Sequence, residues 1–213
     1  MATTLRTLSF QHKRADMSKG FFFVLVLFTL SLFTLSLSSC KKAEQEAAKK
    51  TSSLPVIKAA PAFSGRSAEN LVVESARLQG SVWIAYFFFS SCGGPCPTLN
   101  QRISELQKEI PNEKLQFVGF SVDPETDTPA VLANYGKRYN ANPTRWKMLQ
   151  LPEDSLKIVA AQGFMLGSPE DPSLHSTRFA LVDKAGQIRG FYDGLDDEAL
   201  KKLRTGIAEL LAE

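Results

Sequence analysis

"VWIAYFFFSSCGGPCPTLNQ", residues 82–101, decides the fold. Its first eight residues, Val82 to Phe89, are aromatic and β-prone without clean alternation, the pattern of a central strand buried on both faces. Two cysteines follow, Cys92 and Cys96, separated by Gly93, Gly94 and Pro95. Pro97 suits the first turn of a helix, where its missing N–H costs nothing. Leu99, Ile103, Leu106 and Ile110 then recur at helical spacing. The stretch predicts strand, loop and helix, with Cys92 in the loop and Cys96 at the helix N-terminus.

Downstream the alternation continues. "LQFVGFSV" (115–122) predicts a strand and "DPETDTP" (123–129) a loop, with a helix from about Thr128. "RWKMLQL" predicts a strand and "PEDSLKIVAAQGF" a helix with Gly163 near its end. "STRFALVD" and "QIRGFYD" flank "KAG", a hairpin signal with glycine at the turn. "DDEALKKLRTGIAELLAE" predicts an amphipathic last helix capped by Asp196 or Asp197. Strands alternating with helices imply an α/β fold with a mixed central sheet flanked by helices, closed by an antiparallel hairpin and a helix. That is the element order of a thioredoxin-like fold.

The 213 residues are 44% hydrophobic, enough for one domain with a core of its own. Residues 1–39 are set apart. A basic start (Arg6, Lys13, Arg14, Lys19) precedes the apolar run from Phe21 to Ser39, the marks of an exported leader. The run ends in "LSSC", which resembles the bacterial lipobox, making Cys40 the lipidated residue of the mature chain. An uncleaved transmembrane anchor is the alternative, since nineteen residues just reach across a hydrocarbon core of about 30 Å. Residues 40–54 are a charged, Ala-rich linker without large apolar groups up to Ser53, and residues 55–213 are the folded domain. Either reading places the chain in a bacterial cell envelope, membrane-anchored, with the domain facing the periplasm or exterior.

The net charge of +3 comes from the leader, which holds four of the 25 Lys/Arg and one of the 22 Asp/Glu. The remainder is balanced, 21 against 21, and gives no basic surface for nucleic acid.

With Cys40 assigned to lipid, Cys92 and Cys96 are the working cysteines. A disulfide across three residues closes too small a loop to be a useful staple. Free N–H groups and partial positive charge at a helix N-terminus favour thiolate at Cys96, and through the turn at Cys92. Two thiolates suit Cu(I) or zinc and need at least one further ligand. His12 lies in the leader; His175, directly before the hairpin, is the one histidine beyond it. In a thioredoxin-like sheet that loop faces the helix carrying the cysteines.

Three segments in order then resemble the Sco/SenC family. "FFFSSCGGPCP" (87–97) is similar to its F-x-F-x-x-C-x-x-x-C-P segment, "VGFSVDPETDTP" (118–129) to its strand and D-P-x-x-D-T, and "LHSTRFALVDKAGQIRGFY" (174–192) to its H-S block. The resemblance implies a membrane-tethered, thioredoxin-fold copper protein. It implies copper on Cys92, Cys96 and His175, delivered to the binuclear copper site of cytochrome c oxidase subunit II or to another exported copper protein. Asp123 and Asp127 match the family's acidic loop positions and are candidates for orienting groups near the metal; turn formation and helix capping are the alternative. The chain departs from the family at Gly93, Gly94 and Pro95, and at Leu174, where an acidic residue is frequent.

A different class of function is a thiol-disulfide oxidoreductase, in which Cys92 attacks a substrate disulfide and Cys96 resolves it. Here Cys92 and Cys96 are catalytic and His175 is dispensable. A peroxiredoxin is disfavoured, because "FFFSSC" lacks the threonine and proline that precede the attacking cysteine in those enzymes.

Overall fold

The computed structural model describes residues 52–167 and 176–213. They form strands β1 (Lys58–Ala59), β2 (Ser64–Ser67), β3 (Val72–Glu74), β4 (Val82–Phe88), β5 (Leu115–Ser121), β6 (Trp146–Gln150), β7 (Arg178–Val182) and β8 (Gln187–Asp193), with helices α1 (Cys96–Glu109), α2 (Pro129–Lys137), α3 (Glu153–Lys157) and α4 (Asp197–Ala212). The sheet order is β1-β8-β7-β4-β5-β6-β2-β3. β4, β5 and β6 run parallel; β7 pairs antiparallel with β4, and β8 pairs antiparallel with β7. This is the expected mixed α/β arrangement.

β4 is central, and every residue from Val82 to Phe88 is buried. Val82, Ile84, Tyr86 and Phe88 face one core with Leu99, Ile103 and Leu106 of α1 and Leu203 and Ile207 of α4. Trp83, Ala85 and Phe87 face the other, with Phe120, Leu149 and Phe164. A strand covered on both sides needs no polar face, which is why the run shows no alternation.

The helix ends follow their cap chemistry. Thr128 accepts the Val131 N–H ahead of Pro129, and Asp196 accepts the N–H groups of Glu198 and Ala199. Gly186 turns the β7–β8 hairpin at φ 76°, a conformation that favours glycine.

The predicted helix over 152–164 is only partly α. After α3 the chain widens into a π-helical turn, Ile158–Gly163, closed by the Phe164 N–H on the Val159 carbonyl at 2.8 Å. The extra residue swings Phe164 into the aromatic cluster, 6.1 Å from Phe87 and 5.7 Å from Phe120 between ring centroids. Gly163 is needed there, because a Cβ would stand 2.5 Å from Pro61.

The N-terminal segment is tied down by long-range bonds. Ser52 and Ser53 donate to Glu209, and the Ser52 N–H donates to Glu213. Buried Arg189 donates to the carbonyls of Leu54 and Pro55 and pairs with Asp183 at 2.8 Å. β1 then pairs with β8. Among the described residues no helix is long and apolar enough to cross a membrane; the leader, Cys40 and the linker up to Thr51 lie outside them.

Candidate metal centre

Both working cysteines sit where β4 gives way to α1. The Cys92 N–H donates to the Phe89 carbonyl at 3.3 Å, so the chain turns immediately after the strand. Pro95 precedes α1 without a side-chain cap, leaving the first-turn N–H groups for other partners. Neither cysteine is joined in a disulfide; Cys96 is fully buried and Cys92 half-buried.

The two thiols are electrostatically unlike. Partial burial pushes the Cys92 thiol up, but hydrogen bonds from the Cys96 thiol and from the backbone N–H groups of Cys96 and Gly94 outweigh it and hold Cys92 below the ordinary thiol value. The Gly94 N–H lies 3.4 Å from the Cys92 sulfur. Burial, reinforced by donation of its proton to Cys92, pushes Cys96 up to about 12, against a backbone hydrogen bond from Phe89. Helix position alone predicts thiolate first at Cys96. The Cys96 N–H and the loop N–H of Gly94 favour thiolate at Cys92 instead, because burial of Cys96 in the core outweighs the backbone donors that its own sulfur receives.

Asp127 is fully buried and reaches this loop. Its carboxylate accepts the Ser90 N–H at 3.0 Å, the Ser90 hydroxyl, and the Ser121 hydroxyl at 2.5 Å. Asp123 behaves differently. Its side chain accepts the Thr126 N–H at 3.2 Å and its carbonyl accepts the Asp127 N–H at 2.9 Å, so it shapes its own turn.

His175 lies outside the described residues. Its neighbour Ser176 donates its N–H to the Leu166 carbonyl at 2.7 Å. β7 runs antiparallel to β4 with Ala180 opposite Ala85, so the chain enters β7 at the end of the sheet from which β4 leaves toward Cys92. Among the described residues no group of three or more His, Cys, Asp or Glu side chains is gathered for a metal. A surface groove of about 480 Å³ beside Arg66, Val72, Glu125 and Glu153 includes neither cysteine.

Sequence reasoning missed Ser90, Ser121 and Asn100. Serines before a loop carry no signal of a buried partner, whether 37 residues away, as for Ser90, or 6, as for Ser121. Asn100 did carry one: it is a polar residue on the same buried face of α1 as Leu99 and Ile103.

Residues 54–210 match the family model for SCO1/SenC. The chain belongs to the SCO1/SenC family. Its thioredoxin-like fold is shared by solved Sco proteins. A SCO1/SenC family lipoprotein from Bacillus anthracis str. Ames is 26% identical, with a TM-score of 0.66 over 74% of this chain and 97% of that one. BsSco, described as a member of the Sco family of cytochrome c oxidase assembly proteins and as containing a disulfide switch, is 24% identical, with a TM-score of 0.64 over 73% and 95%. ScoI of Bradyrhizobium japonicum, solved with copper bound, is 21% identical, with a TM-score of 0.57 over 69% and 98%.

Proposed function

We propose that this protein carries copper on Cys92, Cys96 and His175 and delivers it to the binuclear copper site of cytochrome c oxidase subunit II, or to another exported copper protein. The observation that carries the reading is the dithiol pair at the β4–α1 junction of a Sco-family domain. Thiolates are soft donors suited to Cu(I), and an imidazole completes a three-ligand set that leaves room for an acceptor's ligand. The chemistry of the pair fits such a cargo. Cys92 is partly exposed and holds its proton weakly, so it is the sulfur an incoming acceptor meets first. Copper then leaves by stepwise exchange of thiolates between donor and acceptor. The entry into β7 at the same end of the sheet supports His175 as the third ligand. Asp127 is a positioning residue that holds the loop from behind.

The reading extends to the chain's organisation: a leader over 1–39, lipid on Cys40, a linker to residue 54, and a domain over 55–213 held at the envelope membrane. The lipoprotein among the solved relatives supports it. The test is titration of the reduced, detergent-solubilised full chain with Cu(I) against a competing chelator. One copper per chain is expected. Cys92→Ala, Cys96→Ala and His175→Ala should each weaken binding by more than about tenfold, since even groups that only orient a ligand contribute that much. Full affinity in all three variants overturns the assignment.

The unlike thiols favour a second activity, thiol-disulfide exchange. A partly exposed sulfur of low proton affinity attacks, and a buried one resolves. His175 separates the two readings: its replacement should weaken copper binding by more than about tenfold and leave exchange with a disulfide substrate intact.

A further inference from the structure

The face of α1 that turns Cys96 into the core also carries Asn100, one turn further on and fully buried. A carboxamide brings two donor hydrogens and an acceptor oxygen into the interior, and each needs a partner. All are met. Tyr86 O–H donates to Asn100 Oδ1 at 2.7 Å, while Asn100 Nδ2 donates to the Cys96 carbonyl at 2.8 Å and to the Tyr135 hydroxyl at 3.2 Å.

The direction of this chain is fixed at both ends. The Trp146 indole can only donate, and its Nε1–H goes to the Tyr86 oxygen at 3.0 Å. The Tyr86 hydrogen is therefore left for Asn100, whose oxygen must face it. At the far end the Cys96 carbonyl can only accept, so it must face Nδ2. Burial holds the Tyr86 phenol well above its usual range, so it stays a donor. β6, β4 and α2 each contribute one member, and α1 contributes two, Asn100 and the Cys96 carbonyl. Leucine at position 100 would continue the apolar face; asparagine there costs desolvation that only its bonds offset.

We propose that Asn100 is a positioning residue for the Cys92–Cys96 pair. By fixing the Cys96 peptide at the first turn of α1, it favours the arrangement with two separate thiols over the disulfide. Oxidation of the pair joins the two sulfurs and releases two protons and two electrons. Glutathione disulfide accepts them and becomes two glutathione thiols. The Asn100–Cys96 bond is made in the structure whose two cysteines are unjoined, so loosening the Cys96 peptide should move the balance toward the disulfide.

The inference rests on the reading of Cys92 and Cys96 as the working pair. It is tested on metal-free protein, so its failure leaves copper binding untouched, and failure of copper binding leaves it standing. The full chain in detergent is equilibrated in glutathione redox buffers, quenched by alkylation, and the peptide containing both cysteines is weighed. Asn100→Leu should shift the dithiol–disulfide equilibrium toward disulfide by about fivefold, the worth of one buried hydrogen bond. Tyr135→Phe loses a buried bond from the same network but keeps Asn100 on Cys96, and should shift the equilibrium by less than about twofold. An Asn100→Leu shift below that limit, or an equal shift in Tyr135→Phe, overturns the proposal. If Asn100→Leu does not fold, Tyr86→Phe is measured instead. It removes the donor that turns the carboxamide while keeping the ring, and an unchanged equilibrium overturns the proposal equally.

Discussion

The backbone N–H of Ser90 donates to the buried carboxylate of Asp127 at 3.0 Å, and the Ser90 hydroxyl donates to its other oxygen. This latch joins the loop that presents Cys92 to the turn that starts α2. Ser121, at the end of β5, adds a third donor. A buried carboxylate is tolerated when several donors converge on it.

Removing the latch strands those donors. Asp127→Ala should destabilise the protein by about 2–3 kcal/mol, because a part-buried backbone N–H and two hydroxyls, that of Ser121 buried, lose their acceptor. Asp127→Asn should cost about 1 kcal/mol, since the Ser90 hydroxyl can rotate to accept from the new amide. Urea unfolding of both variants measures the difference. Equal losses would show that the loop does not depend on the carboxylate.

The unlike thiols predict an order of reaction. Under iodoacetamide at mildly alkaline pH, Cys92 should be alkylated at least about tenfold faster than Cys96, because only Cys92 is both accessible and low in proton affinity. With rising pH, the Cys92 rate should climb earlier than that of an ordinary thiol. Cys96 should stay slow until strongly alkaline pH, near its value of about 12. Peptide mass spectrometry resolves the two sites. Faster labelling at Cys96 contradicts the assignment of the exposed nucleophile.

Gly93 and Gly94 are not required by space or by backbone conformation. A Cβ on Gly93 meets nothing within 4 Å, one on Gly94 meets only the Cys92 sulfur at 3.8 Å, and neither residue has a left-handed φ. Gly93→Ala should therefore raise stability by about 0.4–1 kcal/mol, by restricting the unfolded chain. Thermal denaturation reads the change. A clear loss of stability would mean that the loop needs glycine for motion rather than for shape.

Arg204 of α4 grips Glu109 at the end of α1 through Nε at 2.8 Å and Nη2 at 3.2 Å. The Arg204 hydrogen bond holds the Glu109 carboxyl below its usual range. A depressed carboxyl stabilises the fold above its unfolded pKa, and the contribution fades as pH falls through the folded value. Both side chains are more than a third or close to a third exposed, 47% and 34%, so solvent screens the pair to under about 1 kcal/mol. Glu109→Gln should lower stability slightly near neutrality and match the parent protein at strongly acid pH. A difference that persists there would point to packing instead of charge.

Several elements are legible in the amino-acid order itself. β4 shows as an unbroken aromatic run, α1 as a proline followed by apolar residues at helical spacing, and α4 as an acidic cap ahead of an amphipathic stretch. Each signal is carried by residues within a few positions of one another. β1, β2 and β3 are not legible: they are two to four residues long and exist by pairing with distant strands. The π-helical turn after α3 is hidden for a related reason, since it answers to Pro61 and to the Phe87–Phe120 cluster rather than to local propensity.

The sequence by itself determined the order of elements, the placement of Cys92 in a loop and Cys96 at a helix start, and the family resemblance, because caps, periodicity and motif spacing are local properties of the chain. Only the tertiary structure decided which thiol is buried, which one favours thiolate, and which polar groups stand behind them. Those outcomes depend on desolvation and on partners such as Asp127, Tyr135 and Trp146, which folding brings from 35 to 60 residues away.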